Sequence, residues 1–384
     1  MKILAIVHRA YVGEFIKPGG LDRFFAFLQD KGEHSILSIE HPIFFKGPAV
    51  IRSIDKEGIN VVKKTDLNCS YLPAVKLVIE FFFNLKFALS AGGKFDAIIC
   101  ADPFNLFSGY VIKKITGARV LIFHSADYAD RRFSSFVLNR IYQFLYRLAL
   151  RRADFVFTVS SRMYEKAKEA LRARKDDKVI FFPNAPEFAK TPKRPHSRDS
   201  RNCVILVGYL IREYNYSQVL EAVSDSLKEA PRLLLKVVGE GEGVAIIKNI
   251  ASSLGIEKNI IFLGALPQEM VLSEMANSDI GLACYARKDP WDFYRDSMKI
   301  REYASCGLPV IADDSTSTAQ DAEKNNCCLI FRNKEDLKQH ISKLSKDNEY
   351  YNTLAKASLS WGRENDGKLV FEKTLARIEN YTHG

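Results

Sequence analysis

The segment Asp289–Ala312 reads DPWDFYRDSMKIREYASCGLPVIA and carries the clearest structural signals in the chain. Asp296 or Ser297 is suited to cap a helix that begins here. This helix is predicted to end at Gly307, because Pro309 prevents its continuation. The apolar run that follows predicts a short strand buried on both faces. A helix followed at once by a buried strand is the repeating step of a parallel α/β sheet.

The same alternation of short apolar runs and longer helical patterns extends over the rest of the chain. The predicted strands are Lys2–Val7, Ser35–Ile39, Asp96–Cys100, Arg119–Phe123, Phe155–Val159, Val179–Phe182, Asn202–Val207, Leu233–Val238, Ile260–Leu263, Ile280–Cys284 and Pro309–Ala312. They fall into two successive sets, so the sequence predicts two open, doubly wound parallel sheets.

A boundary between the two sets is visible at Lys190–Arg201, which reads KTPKRPHSRDSR. Prolines and charged residues without a large apolar side chain are typical of a linker that does not pack. We therefore predict a first domain over 1–189, a linker over 190–201 and a second domain over 202–360. The last segment, 361–384, has a helical pattern.

Composition narrows the class of protein. The chain is 47% hydrophobic and 27% charged, which excludes a disordered or fibrous protein. Residues 1–200 hold 33 basic and 20 acidic side chains, whereas 201–384 hold 23 and 26. The basic half is therefore expected to face an anionic partner. Charged residues interrupt every long apolar run, so no transmembrane helix is predicted. Seven cysteines without C-x-x-C spacing favour reduced thiols in the cytoplasm.

Candidate ligand-binding residues follow the predicted strands. Gly19-Gly20 precedes a helix that begins at Leu21, where backbone amides and the helix dipole favour an anion. An ordinary turn explains these two glycines as well. His124 and Asp127 lie at the end of another strand and could bind a ligand or accept a proton. A structurally satisfied His and a capping Asp are the alternatives.

Lys299 and Glu302 form the candidate site in the opening segment. Lys299 lies in the first helical turn, where the helix dipole disfavours a cation, and an anion shared with the backbone amides would explain it. Glu302 lies three residues later on nearly the same face and is suited to accept hydrogen bonds from sugar hydroxyls. A solvated Lys–Glu pair is the alternative.

With its neighbours, this helix resembles the donor-site helix of GT-B-fold glycosyltransferases of the large family-four, "group 1" type. The pattern is Ser297-x-Lys-x-x-Glu-Tyr-x-x-x-Gly-Leu-Pro-Val310. Other landmarks in family order are Lys2-Ile-Leu, Gly19-Gly20, His124, Arg152-Ala-Asp-Phe-Val-Phe-Thr-Val-Ser160, Phe182-Pro-Asn184, Val207-Gly208, Val238-Gly-Glu-Gly241, Ile261-Phe-Leu-Gly264 and Met275-Ala-Asn-Ser-Asp279. The resemblance implies two Rossmann-like domains that face a cleft, with a C-terminal helix that crosses back to the first domain.

The resemblance also implies roles for individual residues. Glu302 would bind the ribose hydroxyls. The backbone of Gly264, Ala265 and Leu266 would hold the nucleobase. The diphosphate would be held at the helix N-terminus by Ser297, Met298 and Lys299. Gly208 opens the donor-binding half, Gly20 would approach the phosphate, and His124 would face the sugar and the acceptor.

The sequence departs from the family pattern at two places. The first of two expected glutamates falls on Tyr294, which leaves Tyr294, Asp292 and Asp296 as candidates for sugar contact. The Arg and Lys expected after Gly208 are Tyr209 and Tyr214. Arg212 and Lys299 are the nearest substitutes for neutralising the diphosphate.

The implied function is transfer of a hexose from a nucleoside-diphosphate sugar, UDP favoured over GDP, to a lipid-linked or glycan acceptor. The product would be a cell-surface polysaccharide, a glycolipid or a glycoprotein glycan. The family implies retention of configuration without bound metal or cofactor. If the configuration inverts instead, His124 or Asp127 is the candidate base. A GT-B-like sugar-nucleotide epimerase and a non-catalytic partner subunit remain alternatives.

Residues 130–152 combine arginines with an apolar stripe at helical spacing. Arg131, Arg132, Arg140 and Arg147 would bind an anionic membrane surface, which predicts a cytoplasmic protein on the inner face of the membrane. The alternative is that the stripe faces the domain core and the arginines are solvated. Nucleic acid is not predicted as a partner, because the arginines alternate with apolar side chains and no recognition module is present.

Overall fold

The computed structural model describes residues 1–9, 11–12, 15–16, 19–42, 48–66, 73–171, 176–195, 201–285 and 290–383. The chain divides into two compact units. The first unit comprises 1–183 and 370–384, and the second comprises 184–369. The predicted first domain extends to 189 rather than 183, and the predicted second domain begins at 202 rather than 184.

The first unit is an α/β unit with an eight-stranded sheet and a separate two-stranded pair, Tyr11–Val12 with Phe15–Ile16. Its strands are β1 (Lys2–Arg9), β2 (Tyr11–Val12), β3 (Phe15–Ile16), β4 (Ser35–Pro42), β5 (Pro48–Asp55), β6 (Gly58–Asp66), β7 (Ala97–Ala101), β8 (Val120–Ser125), β9 (Phe155–Thr158) and β10 (Val179–Phe181). Its helices are α1 (Gly20–Lys31), α2 (Pro73–Ser90), α3 (Pro103–Thr116), α4 (Phe136–Arg152) and α5 (Ser161–Leu171).

The order of the strands in this sheet is β10-β9-β8-β7-β1-β4-β5-β6. The six strands from β10 to β4 run parallel, and all six were predicted from their apolar runs. The antiparallel strands β5 and β6 were not predicted, and the separate pair β2–β3 is also antiparallel. Edge strands such as β6 mix lysines with exposed apolar residues, so they lack the continuous apolar run of a buried parallel strand.

A C-terminal helix completes the core of the first unit. The helix α14 (Gly367–His383) places Phe371, Leu375 and Ile378 in the core. The ring of Phe371 lies 5.5 Å from Phe24 and 5.4 Å from Phe182, measured between ring centroids. The predicted return of the C-terminal helix to the first domain is therefore confirmed.

The second unit contains a six-stranded parallel sheet in the order β13-β12-β11-β14-β15-β16. Its strands are β11 (Cys203–Val207), β12 (Leu234–Val238), β13 (Ile260–Gly264), β14 (Ile280–Ala283), β15 (Val310–Asp313) and β16 (Cys328–Phe331). Its helices are α6 (Tyr216–Leu227), α7 (Gly243–Leu254), α8 (Gln268–Ala276), α9 (Pro290–Tyr294), α10 (Met298–Cys306), α11 (Ser317–Lys324), α12 (Lys334–Lys346) and α13 (Asn348–Glu364). The prediction of two Rossmann-like sheets is confirmed.

The predicted linker is more ordered than its composition indicated. Arg194 is buried, and its guanidinium donates two hydrogen bonds to the Asp279 carboxylate at 2.8 and 3.1 Å. Arg201 is also buried and lies over the ring of Tyr351, 4.5 Å from its centroid. Paired charges and aromatic rings allow a segment without apolar residues to pack. Residues 196–200 lie outside the described residues.

Candidate functional site

The strand order of the second sheet creates a switch point between β11 and β14. The chain continues from β11 towards β12 and β13 on one side and returns to β14 on the other. In open α/β sheets, ligands bind at the carboxyl ends of the strands at such a point. Gly208 directly follows β11, and Cys284 and Tyr285 directly follow β14. These residues therefore mark the expected ligand position in this unit.

The loops on this edge of the sheet are joined through glycines. The Gly208 N–H donates to the Val238 carbonyl at 3.0 Å, and the Gly239 N–H donates to the Gly264 carbonyl at 2.7 Å. A Cβ atom on Gly239 would lie 1.9 Å from the Gly208 carbonyl oxygen. The backbones after β11, β12 and β13 therefore approach one another so closely that no side chain fits at Gly239.

Lys299 points at the backbone of Gly208. A Cβ atom on Gly208 would lie 2.9 Å from the Lys299 Nζ, and the φ of Gly208 is +143°. The same ammonium lies 4.6 Å from the ring centroid of Tyr285 and 5.8 Å from that of Tyr214. Burial raises the pKa of Tyr214 to about 12, so its ring stays neutral. The geometry places a cation, supported by two aromatic faces, at the switch point.

The N-terminus of α10 lies at the same place. The Ser297 Oγ accepts a hydrogen bond from the Ile300 N–H at 3.4 Å, as the sequence predicted for a cap. The Tyr285 hydroxyl lies 2.5 Å from this Oγ, and the Ser297 N–H donates to the Thr318 hydroxyl at 2.7 Å. Met298 and Lys299 begin the helix, so its positive end adds to the charge of the ammonium.

Glu302 is buried on the next turn of α10, and it has a partner that sequence spacing did not indicate. The Gln268 Nε2 donates to the Glu302 Oε1 at 2.8 Å. Gln268 begins α8, and Pro267 alone separates it from the segment Gly264, Ala265 and Leu266. The first two residues of that segment are exposed. The structure thus connects the segment predicted to hold the base with the carboxylate predicted to hold the ribose.

The three candidates for sugar contact occupy different environments. Asp292 and Tyr294 are buried in α9, and Asp292 forms an ion pair with Arg295 at 2.6 Å. Asp296 accepts hydrogen bonds from the Asn184 N–H at 2.6 Å, the Arg301 Nε at 2.9 Å and the Thr318 hydroxyl at 2.8 Å. These contacts favour a structural role for Asp296 over sugar contact.

The residues after Gly208 also differ from one another. Tyr209 and Arg212 are exposed, whereas Tyr214 is buried beside Lys299. Arg212 is thus accessible to an anion, and Tyr214 supports the neighbouring cation through its ring. Residues 286–289, which precede α9, lie outside the described residues.

In the first unit, His124 is the second-to-last residue of β8 and is buried. Among the described residues, neither ring nitrogen of His124 has a hydrogen-bond partner. Its ring packs edge-on against Phe182 with the centroids 5.9 Å apart. Burial lowers the pKa of His124 to about 3, so the imidazole is neutral at physiological pH. A neutral, unpaired imidazole at a strand end is suited to exchange hydrogen bonds with a ligand hydroxyl.

The other first-unit candidates lie near the same edge of this sheet. Asp127 is largely exposed and accepts a hydrogen bond from Arg132 at 3.0 Å. Gly20 is the first residue of α1, and the Gly19 N–H before it donates to the Asp22 carboxylate at 2.6 Å. Residues 17–18 lie outside the described residues.

Comparison with known families identifies part of the chain. Residues 187–361, slightly less than half of the chain, match the family described as "Glycosyl transferases group 1". Most of the second unit therefore matches this family. The family resemblance read from the sequence is therefore confirmed over this range, which includes all of the second-unit candidates.

Individual proteins similar to this chain extend the comparison. The GDP-mannose-dependent alpha-(1-6)-phosphatidylinositol monomannoside mannosyltransferase of Mycolicibacterium smegmatis is 24% identical over 136 residues. That match covers 35% of this chain and 35% of the relative, about a third of its length.

Solved structures match the whole chain in fold. Anabaena Alr3699/HepE in complex with UDP has 14% identity and a TM-score of 0.69, with 99% of this chain and 100% of that chain covered. A putative UDP-N-acetylglucosamine 2-epimerase from Listeria monocytogenes has 13% identity and a TM-score of 0.65, with 100% and 96% covered. These identities show the fold alone, and it is shared by transferases and an epimerase.

The first unit also holds a charged cluster that the sequence patterns did not indicate. The His8 Nδ1 lies 2.5 Å from the Asp102 Oδ2, and its Nε2 lies 3.2 Å from the Glu80 Oε2. Burial lowers the pKa of His8, but Asp102 and Glu80 raise it more, to about 10. Asp102 adopts a φ of +73°, which is unusual for a residue other than glycine. Because His8 is the second-to-last residue of β1 and Asp102 directly follows β7, a search of strand ends could have found them.

Proposed function

We propose that the protein transfers a hexose from a UDP-sugar to a lipid-linked or glycan acceptor, with retention of configuration and without a bound metal. The observation that carries this proposal is the Lys299 ammonium against the Gly208 backbone at the N-terminus of α10. It combines a cation, a helix N-terminus and a close backbone approach at a sheet switch point, as a diphosphate site requires.

Lys299 and the first turn of α10 stabilise the leaving diphosphate. Negative charge develops on the phosphate as the glycosidic bond to the sugar breaks, and preorganised positive groups lower the barrier. Arg212, which is exposed on the loop after β11, adds a second cation when the donor binds. This arrangement takes the place of the Arg and Lys that the family pattern has after Gly208.

Glu302 binds the ribose hydroxyls, and Gln268 holds its carboxylate in position. The Gln268 amide satisfies one carboxylate oxygen at 2.8 Å and restricts the rotamer of Glu302. The base lies along the backbone of Gly264, Ala265 and Leu266, next to Gln268. Ribose and base recognition are thereby coupled through one side chain.

The sugar and the acceptor contact a different set of residues. We assign Asp292 and Tyr294 to the hexose, Gly20 to the donor phosphate, and His124 and Asp127 to the acceptor. The His124 imidazole, with a pKa lowered to about 3 by burial, is a weak base but a good hydrogen-bond partner. The retaining transfer that we propose needs no general base from the first unit.

The donor base is assigned to uracil. The fold neighbour from Anabaena was crystallised with UDP, whereas the name of the mycobacterial relative specifies GDP-mannose. The neighbour covers the whole chain and the relative covers a third of it, but the identities of both are low. A direct nucleotide comparison therefore decides this assignment.

We propose that the protein meets its acceptor at the cytoplasmic surface of a membrane. Arg131 is exposed before α4, and Arg140 and Arg147 are exposed on it, whereas Arg132 pairs with Asp127. Between these arginines, Phe136, Val137, Ile141 and Phe144 are exposed, whereas Tyr142 and Tyr146 are buried in the core. Among the helices described, none combines the length and hydropathy needed to cross a bilayer. Peripheral adsorption of α4 to anionic lipid is therefore proposed.

The donor site is tested by thermal unfolding with UDP, GDP, ADP and their sugars. A ligand that binds only the folded state adds about 2.7 kcal/mol to the free energy of unfolding when its concentration is a hundred times Kd. The unfolding temperature rises as a result. We expect the largest shift with UDP and its sugars. Glu302→Gln and Lys299→Met should remove the shift and the transfer, and Glu269→Gln, an exposed acid on α8, should leave both unchanged. A wild-type shift in both site variants would refute the assignment.

An epimerase is the second candidate, because the epimerase from Listeria monocytogenes shares the fold. Incubation with UDP-sugars in the absence of an acceptor separates the two activities. An epimerase converts the sugar nucleotide alone, whereas a transferase releases sugar from UDP only with an acceptor or slowly to water. No turnover with any donor or acceptor, despite UDP binding, would indicate a partner subunit.

A further inference from the structure

The helices α2, α3 and α4 of the first unit carry an unusual set of exposed charges. They contain the basic residues Lys76, Lys86, Lys113, Lys114, Arg140, Arg147, Arg151 and Arg152. Their single acidic residue, Glu80, is buried with Lys76 beside it at 3.8 Å. Lys113 pairs with Asp154, which lies outside these helices. Lys76 is buried as well, and the exposed charges that these three helices carry are all positive, which suits an anionic partner.

The same helices expose large apolar side chains. On α2, Val75, Val78, Phe82 and Leu89 recur at helical spacing, and Phe82 is 63% exposed. Phe107 on α3 is 51% exposed and Phe144 on α4 is 65% exposed. Exposed apolar residues of this size, rimmed by charge, mark an interaction surface.

These residues form a connected surface across the three helices. The rings of Phe81 and Phe107 stack with centroids 5.4 Å apart, which joins α2 to α3. A groove of about 120 Å³ between α3 and α4 continues from Phe107 to Leu145 and Leu148. At one end of this groove, the Arg152 guanidinium lies 5.3 Å from the ring centroid of Tyr110. We call this surface the three-helix face.

Charge and hydropathy together select the partner. Nucleic acid would match the positive charge but not the exposed Val, Leu and Phe side chains. An anionic bilayer matches both, because its headgroups attract the basic residues and its acyl region accepts the apolar ones. The positions also fit, since Arg140 and Arg147 lie one turn to either side of Phe144.

We propose that the three-helix face inserts into an anionic membrane, with Phe82, Phe107 and Phe144 entering the acyl region below the basic residues. This deepens the adsorption of α4 included in the proposed function, because α2 and α3 become part of the interface. Insertion of aromatic rings makes binding partly independent of salt, whereas adsorption through arginines alone is screened.

The test is sedimentation with phosphatidylcholine vesicles, with and without phosphatidylglycerol, at about 0.15 M and about 1 M salt. Wild-type protein should bind the vesicles that contain phosphatidylglycerol and retain part of this binding at high salt. Phe82→Ser with Phe107→Ser should reduce partitioning roughly tenfold. The matched control is Ile59→Ser with Val62→Ser on β6, where the residues are 59% and 60% exposed, and it should bind as wild type does.

A second measurement separates insertion from a folding defect. In the Phe82→Trp variant, the fluorescence of the new tryptophan should be quenched by lipids brominated on the acyl chains. The double variant Phe82→Ser with Phe107→Ser should keep the wild-type thermal shift with UDP. Equal binding by the double variant and the wild type would overturn insertion but leave adsorption of α4 intact. Absence of wild-type binding to every vesicle would overturn both, without bearing on the donor site in the second unit.

Discussion

At the scale of single residues, the contact between Lys299 and Gly208 explains why a glycine is required after β11. The φ of +143° is accessible to glycine, and the missing Cβ leaves room for the ammonium at 2.9 Å from that position. The residue therefore meets two constraints, one of backbone conformation and one of space. A pair of substitutions can separate them.

Gly208→Ala should lower stability and weaken UDP binding. An L side chain at this φ costs about 1–3 kcal/mol of folding free energy, and the new methyl group displaces Lys299. Gly58→Ala is the control, because Gly58 has a φ of +139° and nothing within 4 Å of its Cβ position. Urea denaturation should show a lower free energy of unfolding in both variants. UDP titration should show roughly tenfold weaker binding only in Gly208→Ala. Unchanged UDP affinity in Gly208→Ala would contradict the role of Lys299.

His8 gives the first unit a defined pH dependence. Asp102 and Glu80 raise the pKa of His8 to about 10, so the folded state holds the proton more tightly than the unfolded chain does. Its contribution to stability is fully present below about pH 6.5 and is lost as the pH rises through about 10. The free energy of unfolding of the wild type should fall over this interval relative to that of His8→Asn. His340→Asn, in the second unit, is the control, and an unchanged pH profile in His8→Asn would contradict the charged state of His8.

Sequence spacing identified only part of the candidate donor site at this scale. Lys299 and Glu302 could be found because both lie on one helix, where spacing determines which residues share a face. Gln268, Tyr285 and Thr318 were missed, because contacts across helix and strand boundaries depend on how the elements pack. Asp296 was taken for a sugar contact for the same reason, since Arg301 and Thr318 surround it only in the folded chain.

At the scale of elements, continuous apolar runs were sufficient to predict most of the parallel strands. Such runs arise because a strand covered by helices on both faces must be apolar on both. The antiparallel strands β5 and β6 have no such requirement and were missed. The strand β16 was missed as well, and its short sequence Cys328–Phe331 follows α11 closely.

The helix α14 offers a clear test of packing. Phe371→Ala should destabilise the first unit by about 3–5 kcal/mol, because it removes a ring in contact with Phe24 and Phe182 and leaves a cavity. Leu369→Ala, on the exposed side of the same helix, should change stability by less than about 0.5 kcal/mol. Chemical denaturation of the two variants measures the difference, and similar losses would show that α14 does not complete the core.

At the scale of the whole molecule, the distribution of charge separates two tasks. The basic excess predicted from the first half is concentrated on α2, α3 and α4, whose exposed charges are all positive. The proposed donor site in the second unit would need only a few positive groups, because the α10 N-terminus and Lys299 act at short range. Net charge therefore points to the proposed partner surface but not to the proposed donor pocket.

The return of α14 to the first unit also affects how the chain folds as it is made. Phe182 leaves the ribosome before the 184–369 segment, and Phe371 leaves after it. At about 5–20 residues per second, the first core waits roughly 10–40 s for its last aromatic ring. The second unit can fold during that interval, while the first unit remains incomplete. The unit synthesised first is therefore expected to finish folding last.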